Sequence, residues 1–321
     1  MLKKLIAVLA AAACLPLGAL AQSYPNKPVR MYTQFGPGTP GDVFVRVLAA
    51  AMSPIMGQPI LVDSRPGGGG VLVAGLTARA EPDGYTVAVL TATVPVVGAL
   101  LSKSPLPFDP VKDLLPVTSL IESASLVVVN ASLGVDSLAA LIEYAKRNPG
   151  KVSYGTTGIG SSHHLNGEQL SMLTGANMVH IPYKTSPVAD AASGVLPMAI
   201  TIAPQAMPFL KLGKIRALAV TTSRRLRALP DVPLVSEVVP GFEPMPSWTG
   251  IYGPAGLPGA VLRRLHADAS AALNQADVQA KIQEIGFDIV MSTSHEDFAA
   301  KSKRGVDLTA RIVKAAKIEP Q

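Results

Sequence analysis

The chain has 321 residues, of which 48% are hydrophobic, 16% charged and 5% aromatic, with 28 glycines, 28 prolines, one cysteine and a formal net charge of +6. So apolar a composition describes a compact globular protein with many turns and excludes a disordered one. Its length suits two modest domains, because single cores stop growing near about 250–300 residues. The mild charge, the few aromatics and the lack of any basic cluster beyond Arg224-Arg225-Leu226-Arg227 leave nucleic-acid binding without a footing.

In chain order, Lys3 and Lys4 precede an apolar run from Leu5 to Leu15, and Ala19-Leu20-Ala21 has the small-x-small pattern of a cleavage site before Gln22. The expectation is an export signal over residues 1–21, whose removal lowers the formal charge from +6 to +4 and takes the only cysteine, Cys14, with it. No later stretch has the ~18 uninterrupted apolar residues of a membrane span.

Val29 to Phe35 reads as a first strand. Gly36-Pro-Gly-Thr-Pro-Gly-Asp42 is a turn, and a helix over Val43–Met56 follows, with Asp42 able to cap it and Val43, Val47, Met52 and Ile55 near one face. Ile60–Val62 is a strand, Arg65-Pro-Gly-Gly-Gly-Gly70 a turn, Val71–Arg79 a helix and Tyr85–Leu90 a strand. After a proline-punctuated connection, Leu115–Ile121 and Leu126–Asn130 are extended. A second run alternates helix Leu138–Arg147, strand Val152–Tyr154, a helix to Leu173, strand Met178–Ile181, helix Val188–Ser193, strand Met198–Ile202, helix Met207–Leu212 and strand Ile215–Thr221. Helices Val261–Leu273 and Asp277–Ile285, a strand at Asp288–Met291 and a helix from Glu296 to about Lys314 close the chain. Alternation of this kind predicts an α/β fold of two lobes, each a mostly parallel sheet flanked by helices. The expected division is residues 22–125 and 251–321 for one lobe and 126–250 for the other, with a ligand site between them where strand carboxyl ends face each other.

The stretch Ser153-Tyr-Gly-Thr-Thr-Gly-Ile-Gly-Ser-Ser-His-His-Leu165 carries the chemistry. A strand end runs through a turn of glycines and hydroxyls into a helix starting at Ser161 or Ser162, with apolar spacing at Leu165, Met172 and Leu173. Such a junction aims free backbone N–H groups and the positive end of a helix dipole forward, a natural seat for an anion. An ordinary serine N-cap is the plainer reading of the same residues. Adjacent helical residues point about 100° apart, so His163 and His164 cannot share one metal ion, and no metal site is expected. Gly67 to Gly70 fits neither GxGxxG nor GxxxxGK[ST], so no nucleotide or other cofactor is implied. With no G-x-S-x-G elbow and no cysteine nucleophile, a hydrolase is the weaker class and no catalytic residue is assigned.

Across nearly the whole chain after the leader, in order, stand Tyr24-Pro-Asn-Lys-Pro-Val-Arg30, Phe35-Gly-Pro-Gly-Thr-Pro-Gly-Asp42, Arg65-Pro-Gly67, Pro82-Asp-Gly-Tyr85, Pro107-Phe-Asp-Pro110, Asn148-Pro-Gly-Lys151, His180-Ile-Pro-Tyr-Lys184, Gly213-Lys-Ile-Arg-Ala-Leu-Ala-Val220 and Leu229-Pro-Asp-Val-Pro233. In these runs the chain resembles the periplasmic substrate-binding proteins of tripartite tricarboxylate transporters, the Bug or TctC-like family. The resemblance implies a monomeric, two-lobed periplasmic clamp of the Venus flytrap type. It would close on a small mono-, di- or tricarboxylate and hand it to integral membrane permease subunits. A sensor protein is the alternative recipient. The resemblance nominates Phe35, Gly36, Pro37, Gly38, Thr39 and Asp42 on one lobe. On the other it nominates Thr156, Thr157, Gly160, Ser161, Ser162, His163, Tyr183, Lys184 and Thr185, with Trp248 as a flanking aromatic. Ala203 stands where relatives often carry an acidic residue, which points away from ligands bearing an ammonium group.

Overall fold

The structure, a computed structural model, describes residues 24–101 and 105–319. The expected export signal and its cleavage site lie outside the described residues. The fold consists of two sheets, each covered by helices on both faces. Beginning the chain, β1 (Val29–Thr33), α1 (Pro40–Met56), β2 (Ile60–Ser64), α2 (Val71–Ala78), β3 (Thr86–Thr91) and α3 (Thr93–Leu101) alternate, followed by β4 (Leu114–Glu122). The second sheet collects β5 (Ser125–Asn130), α4 (Leu138–Arg147), β6 (Ser153–Thr156), α5 (Ser162–Thr174), β7 (Val179–Pro182), α6 (Val188–Ser193), β8 (Met198–Ile202), α7 (Ala203–Lys211) and β9 (Ile215–Val220). After a short helix α8 (Val235–Val238) come β10 (Trp248–Pro254), α9 (Gly259–Leu273), α10 (Ala276–Ile285), β11 (Asp288–Ile289) and α11 (His295–Ala315).

Strand order is β11-β4-β10-β3-β1-β2 in the first sheet and β7-β6-β8-β5-β9 in the second. Both sheets are mixed, not mostly parallel. The reason is the path of the chain between them. β4 ends and β10 begins at the junction, so the two pair antiparallel, and β10 also pairs antiparallel with β3. β5 enters the second sheet from the same junction and is antiparallel to β8 and β9. The remaining pairs, β1 with β2 and β3, and β6 with β7 and β8, are parallel. The carboxyl ends of β1, β3, β6 and β8 lie at a cavity lined from both sheets, where ligands of open α/β sheets bind.

Alternate residues of each strand feed different cores. Val29, Met31, Val87 and Val89 pack with Phe44, Leu48 and Met52 of α1 and Leu262 and Leu265 of α9. Tyr32, Ala88 and Leu90 pack on the opposite face with Val73, Trp248 and Phe298. In the second sheet Val127, Val129, Met198 and Ile200 face Leu138, Leu141 and Leu170, while Val128 and Ala199 face Val188 and Ala206. Leu165 of α5 belongs to the same buried cluster as Met245, Trp248 and Phe298, so this helix ties the second sheet to the first.

Several elements differ from their sequence expectation: α8 and the seven-residue β10, the strand between β4 and β3, fall where no helix or strand was expected, and α7 begins at Ala203 and not at Met207. Helix α1 begins at Pro40 because Thr39 caps it, its side chain accepting from the Asp42 amide; proline at the first helical position loses no needed donor. The buried face of α1 is Phe44, Val45, Leu48, Ala49 and Met52, with Val43 exposed. Helix α3, missed in the sequence, follows β3 directly. In α5 Met172 and Leu173 are exposed, and the buried face is His163, His164, Leu165, Asn166, Gln169 and Leu170. A helix that buries imidazoles and amides needs polar partners inside the protein.

Gly250 lies in the middle of β10, and a Cβ there would sit 2.6 Å from the Phe298 ring and 2.8 Å from the Thr118 carbonyl oxygen. Because the second obstacle is backbone, Gly250→Ala is expected to destabilise the fold by about 1–3 kcal/mol. A thermal melt checks this, and an unchanged midpoint would contradict the seating of Phe298 on β10.

Candidate functional site

A cavity of about 270 Å3 opens between the sheets. From the first sheet come Gln34 after β1, Gly69, Thr91, Ala92 and Thr93 around the end of β3, and Ser247, Trp248 and Thr249 at the start of β10. From the second come Ser125 at the start of β5, Thr157 after β6, Ser161, Ser162 and His163 at the start of α5, and Ile202 at the end of β8. Ser123 and Pro246 complete it from the connections. None of these residues is Asp, Glu, Lys or Arg. The cavity therefore offers neutral donors and an indole, and any charge placed there is met by dipoles.

The α5 end supplies Ser161, Ser162 and His163. Ser161 is the N-cap, accepting from the His164 amide at 3.2 Å and donating to the Gly158 carbonyl at 2.8 Å. Its hydroxyl is thus committed to the turn. Ser162 and His163 open the helix, where backbone amides have no carbonyl one turn back to receive them. With the Ser162 hydroxyl they are donors of the kind an anionic oxygen can use, where a helix dipole is worth about 0.3–2 kcal/mol and a charge-assisted hydrogen bond about 1.5–3 kcal/mol.

His163 is buried yet lines the cavity. Its Nε2 lies 2.9 Å from Ser125 Oγ and its Nδ1 lies 3.1 Å from Thr157 Oγ1, so an imidazole bridges two hydroxyls. Desolvation pushes its pKa down to about 4, which leaves the ring neutral near pH 7. On the first sheet, Gln34 holds Thr91 by both ends of its amide, Oε1 accepting from the Thr91 amide and Nε2 donating to Oγ1. The Thr91 hydroxyl keeps its own hydrogen to offer. A Cβ at Gly70 would meet the Gln34 side chain at 2.6 Å, and the backbone there has φ +101°, so the glycine turn makes room for this amide.

Of the residues expected from sequence, Thr157, Ser161, Ser162, His163 and Trp248 come together at the cavity. Thr156 and Gly160 stand just behind it, in the same turn. Phe35, Gly36, Pro37, Gly38, Thr39 and Asp42 do not line it; the first sheet's share comes from the neighbouring Gln34 and from the Gly69 and Thr91–Thr93 segments instead. The turn is closed on itself: the Gly38 amide donates to Asp42 Oδ2, which also receives Arg46 Nε, and the Gly36 carbonyl accepts from both the amide and hydroxyl of Thr39. Tyr183 donates its hydroxyl to Asp190, while Lys184 and Thr185 are exposed on the loop beyond β7. Ala203 is buried at the start of α7, its amide on the Ala124 carbonyl, one residue past Ile202. Gln34, Thr91, Thr93, Ser125 and Thr249 were missed. Only their positions at strand ends signalled them, and pairing across the chain was needed to bring them together. Among the described residues, no group of three or more His, Cys, Asp and Glu side chains is placed to hold a metal ion, and no helix is long and apolar enough to cross a membrane.

The family described as tripartite tricarboxylate transporter family receptor matches residues 44–317. The chain is 34% identical over 261 residues to BugT of Bordetella pertussis, covering 80% of each chain. It is 32% identical over 304 residues to a UPF0065 protein of Bordetella bronchiseptica, covering 94% of this chain and 89% of that one. Among solved structures, a Rhodopseudomonas palustris protein with adipate is 31% identical with a TM-score of 0.81, covering 93% of this chain and 100% of that one. BugD, a periplasmic binding protein, is 30% identical with a TM-score of 0.76, covering 93% and 100%. The fold and site thus define a two-lobed periplasmic-binding-protein architecture. The chain belongs to the tripartite tricarboxylate transporter receptor family.

Because the folded pKa of His163 lies below its ordinary 6.5, the folded state binds fewer protons than the unfolded one between pH 6.5 and about 4. His180, lowered to about 4 by burial and by His164, acts in the same direction. Stability present above pH 6.5 is therefore lost as pH falls toward 4. Urea unfolding at successive pH values should show this decline, with a slope shallower by about one proton in His163→Gln; an equal slope in the variant would contradict a neutral buried His163.

Proposed function

We propose that this protein is a periplasmic receptor that binds a small organic carboxylate between its lobes and delivers it to the membrane subunits of a tripartite transporter. The lobes we assign are the first sheet with its helices and the second sheet with its own, hinged at residues 122–125 and again between Thr221 and Trp248. One observation carries the reading: a cavity lined from both sheets by hydroxyls, a neutral imidazole and the opening of α5, with no charged side chain. An acid's oxygens suit such a lining, and a ligand that touches both lobes stabilises their closed arrangement. Relatives solved with adipate and with malate support the ligand class.

Enzymatic use of the same residues finds less support. Ser125 and His163 are within bonding distance, but the second ring nitrogen meets the Thr157 hydroxyl. A nucleophile–base pair of this kind is ordinarily oriented by a carboxylate.

A thermal-shift screen of organic acids tests the reading, since a cleft ligand raises the midpoint with saturation. Dicarboxylates such as adipate are expected to raise it. Glutarate should do so more than glutamate, because no carboxylate in the cavity can receive an ammonium group. Ser162→Ala is expected to weaken binding at least about tenfold, one charge-assisted hydrogen bond's worth, with the melting midpoint unchanged. If no acid shifts the midpoint, or if Ser162→Ala binds like the parent, the reading falls.

A further inference from the structure

Behind the ligand turn, away from the cavity, two imidazoles are stacked: His164 of α5 and His180 of β7, with ring centroids 3.9 Å apart and planes 25° from parallel. Neither lines the cavity. His164 Nδ1 accepts from the Gly160 amide at 3.1 Å, which places the ring hydrogen on Nε2, 3.5 Å from Glu168 Oε1. Glu168 also receives the Tyr154 hydroxyl. His180 Nε2 lies 2.7 Å from Thr156 Oγ1, and that hydroxyl oxygen in turn receives the Gly158 amide.

The turn from Thr156 to Gly160 is therefore held at both ends by one stacked pair. Gly158 at φ +118° and Gly160 at φ +77° give it little stiffness of its own. The residues that follow Gly160 are Ser161, Ser162 and His163, which meet the cavity. Packing alone would ask only for an apolar residue of similar size at position 164, whereas the structure spends a buried acceptor on one backbone amide and a carboxylate on the other nitrogen.

We infer that His164, seated on His180, is a positioning residue: by accepting from the Gly160 amide it sets the shape of the ligand turn, and so the affinity for the acid, without touching the ligand. This rests on the reading that the turn holds the acid. Two substitutions separate the acceptor from the bulk. In His164→Asn the side-chain carbonyl can take the place of Nδ1 and keep the Gly160 bond. In His164→Gln the amide reaches toward Glu168 and leaves the Gly160 amide without an acceptor.

The first readout needs no ligand: amide exchange of Gly160 by nuclear magnetic resonance. It is expected to stay slow in His164→Asn and to quicken at least tenfold in His164→Gln, with amides of the β8 core unchanged. The second is adipate binding by calorimetry, expected within about threefold of the parent for Asn and at least tenfold weaker for Gln. Gly160 exchange unmoved in His164→Gln, or Asn as damaging as Gln in both readouts, overturns the inference. Should His164→Gln not fold, His164→Leu, which keeps apolar bulk but offers the Gly160 amide no acceptor, must quicken Gly160 exchange; unchanged exchange there overturns it equally. Failure of adipate to bind the parent protein counts against the proposed function, while the Gly160 exchange still decides the positioning role.

Discussion

A buried polar group must find a partner within the protein, and the inward face of α5 is where this structure meets that demand most heavily. His163, His164, Asn166 and Gln169 are all buried there. Each is bonded: His163 to Ser125 and Thr157, His164 to the Gly160 amide, Asn166 to the Met245 amide, and Gln169 to the Glu243 backbone. Because an unmade bond at such depth costs about 1–3 kcal/mol each, these contacts fix the helix relative to its turn and to the segment returning to the first sheet. The cavity is one consequence. A helix start held this firmly presents its unpaired amides in one arrangement, and preorganised dipoles are what a site without formal charge needs to hold an anion.

The connection between sheets follows from the same region. Asn166 and Gln169 bind residues 243–245, which lead into β10, and Leu165 packs with Trp248. A motion of one sheet against the other must work around these contacts, while Arg311 of α11 adds an exposed ion pair to Glu243, weak in itself. The two sheets are thus coupled by buried amide contacts between α5 and the segment entering β10.

Much of the architecture could be read from the chain. Leu138–Arg147 carries a clear amphipathic pattern after Ser137, which caps it, and the helix has those bounds. The strand-to-helix turn at 153–165 was legible as a strand end, a glycine turn and a serine cap, and it folds so, with Ser161 at the N-cap. Other features were not. The buried face of α1 was read too narrowly: Val47, Met52 and Ile55 pack on the core, but Phe44, Val45, Leu48 and Ala49 are its buried centre and Val43 is exposed. Helix α3 is almost wholly apolar, so it shows no periodicity. The parallel sheets expected from alternation became mixed, since the strands at the junction reverse direction. The first sheet's share of the cavity was hidden most deeply. Gln34 and Thr91 are 57 residues apart, and only the pairing of β1 with β3 makes them partners.

A crystal structure of the protein saturated with an acid from the screen tests the central claim most directly. The account predicts a carboxylate within about 3 Å of the Ser162 and His163 amides, with the rest of the molecule reaching Thr91, Thr93 or Thr249 on the opposite sheet. An acid held by one sheet alone, or seated outside this cavity, would contradict it.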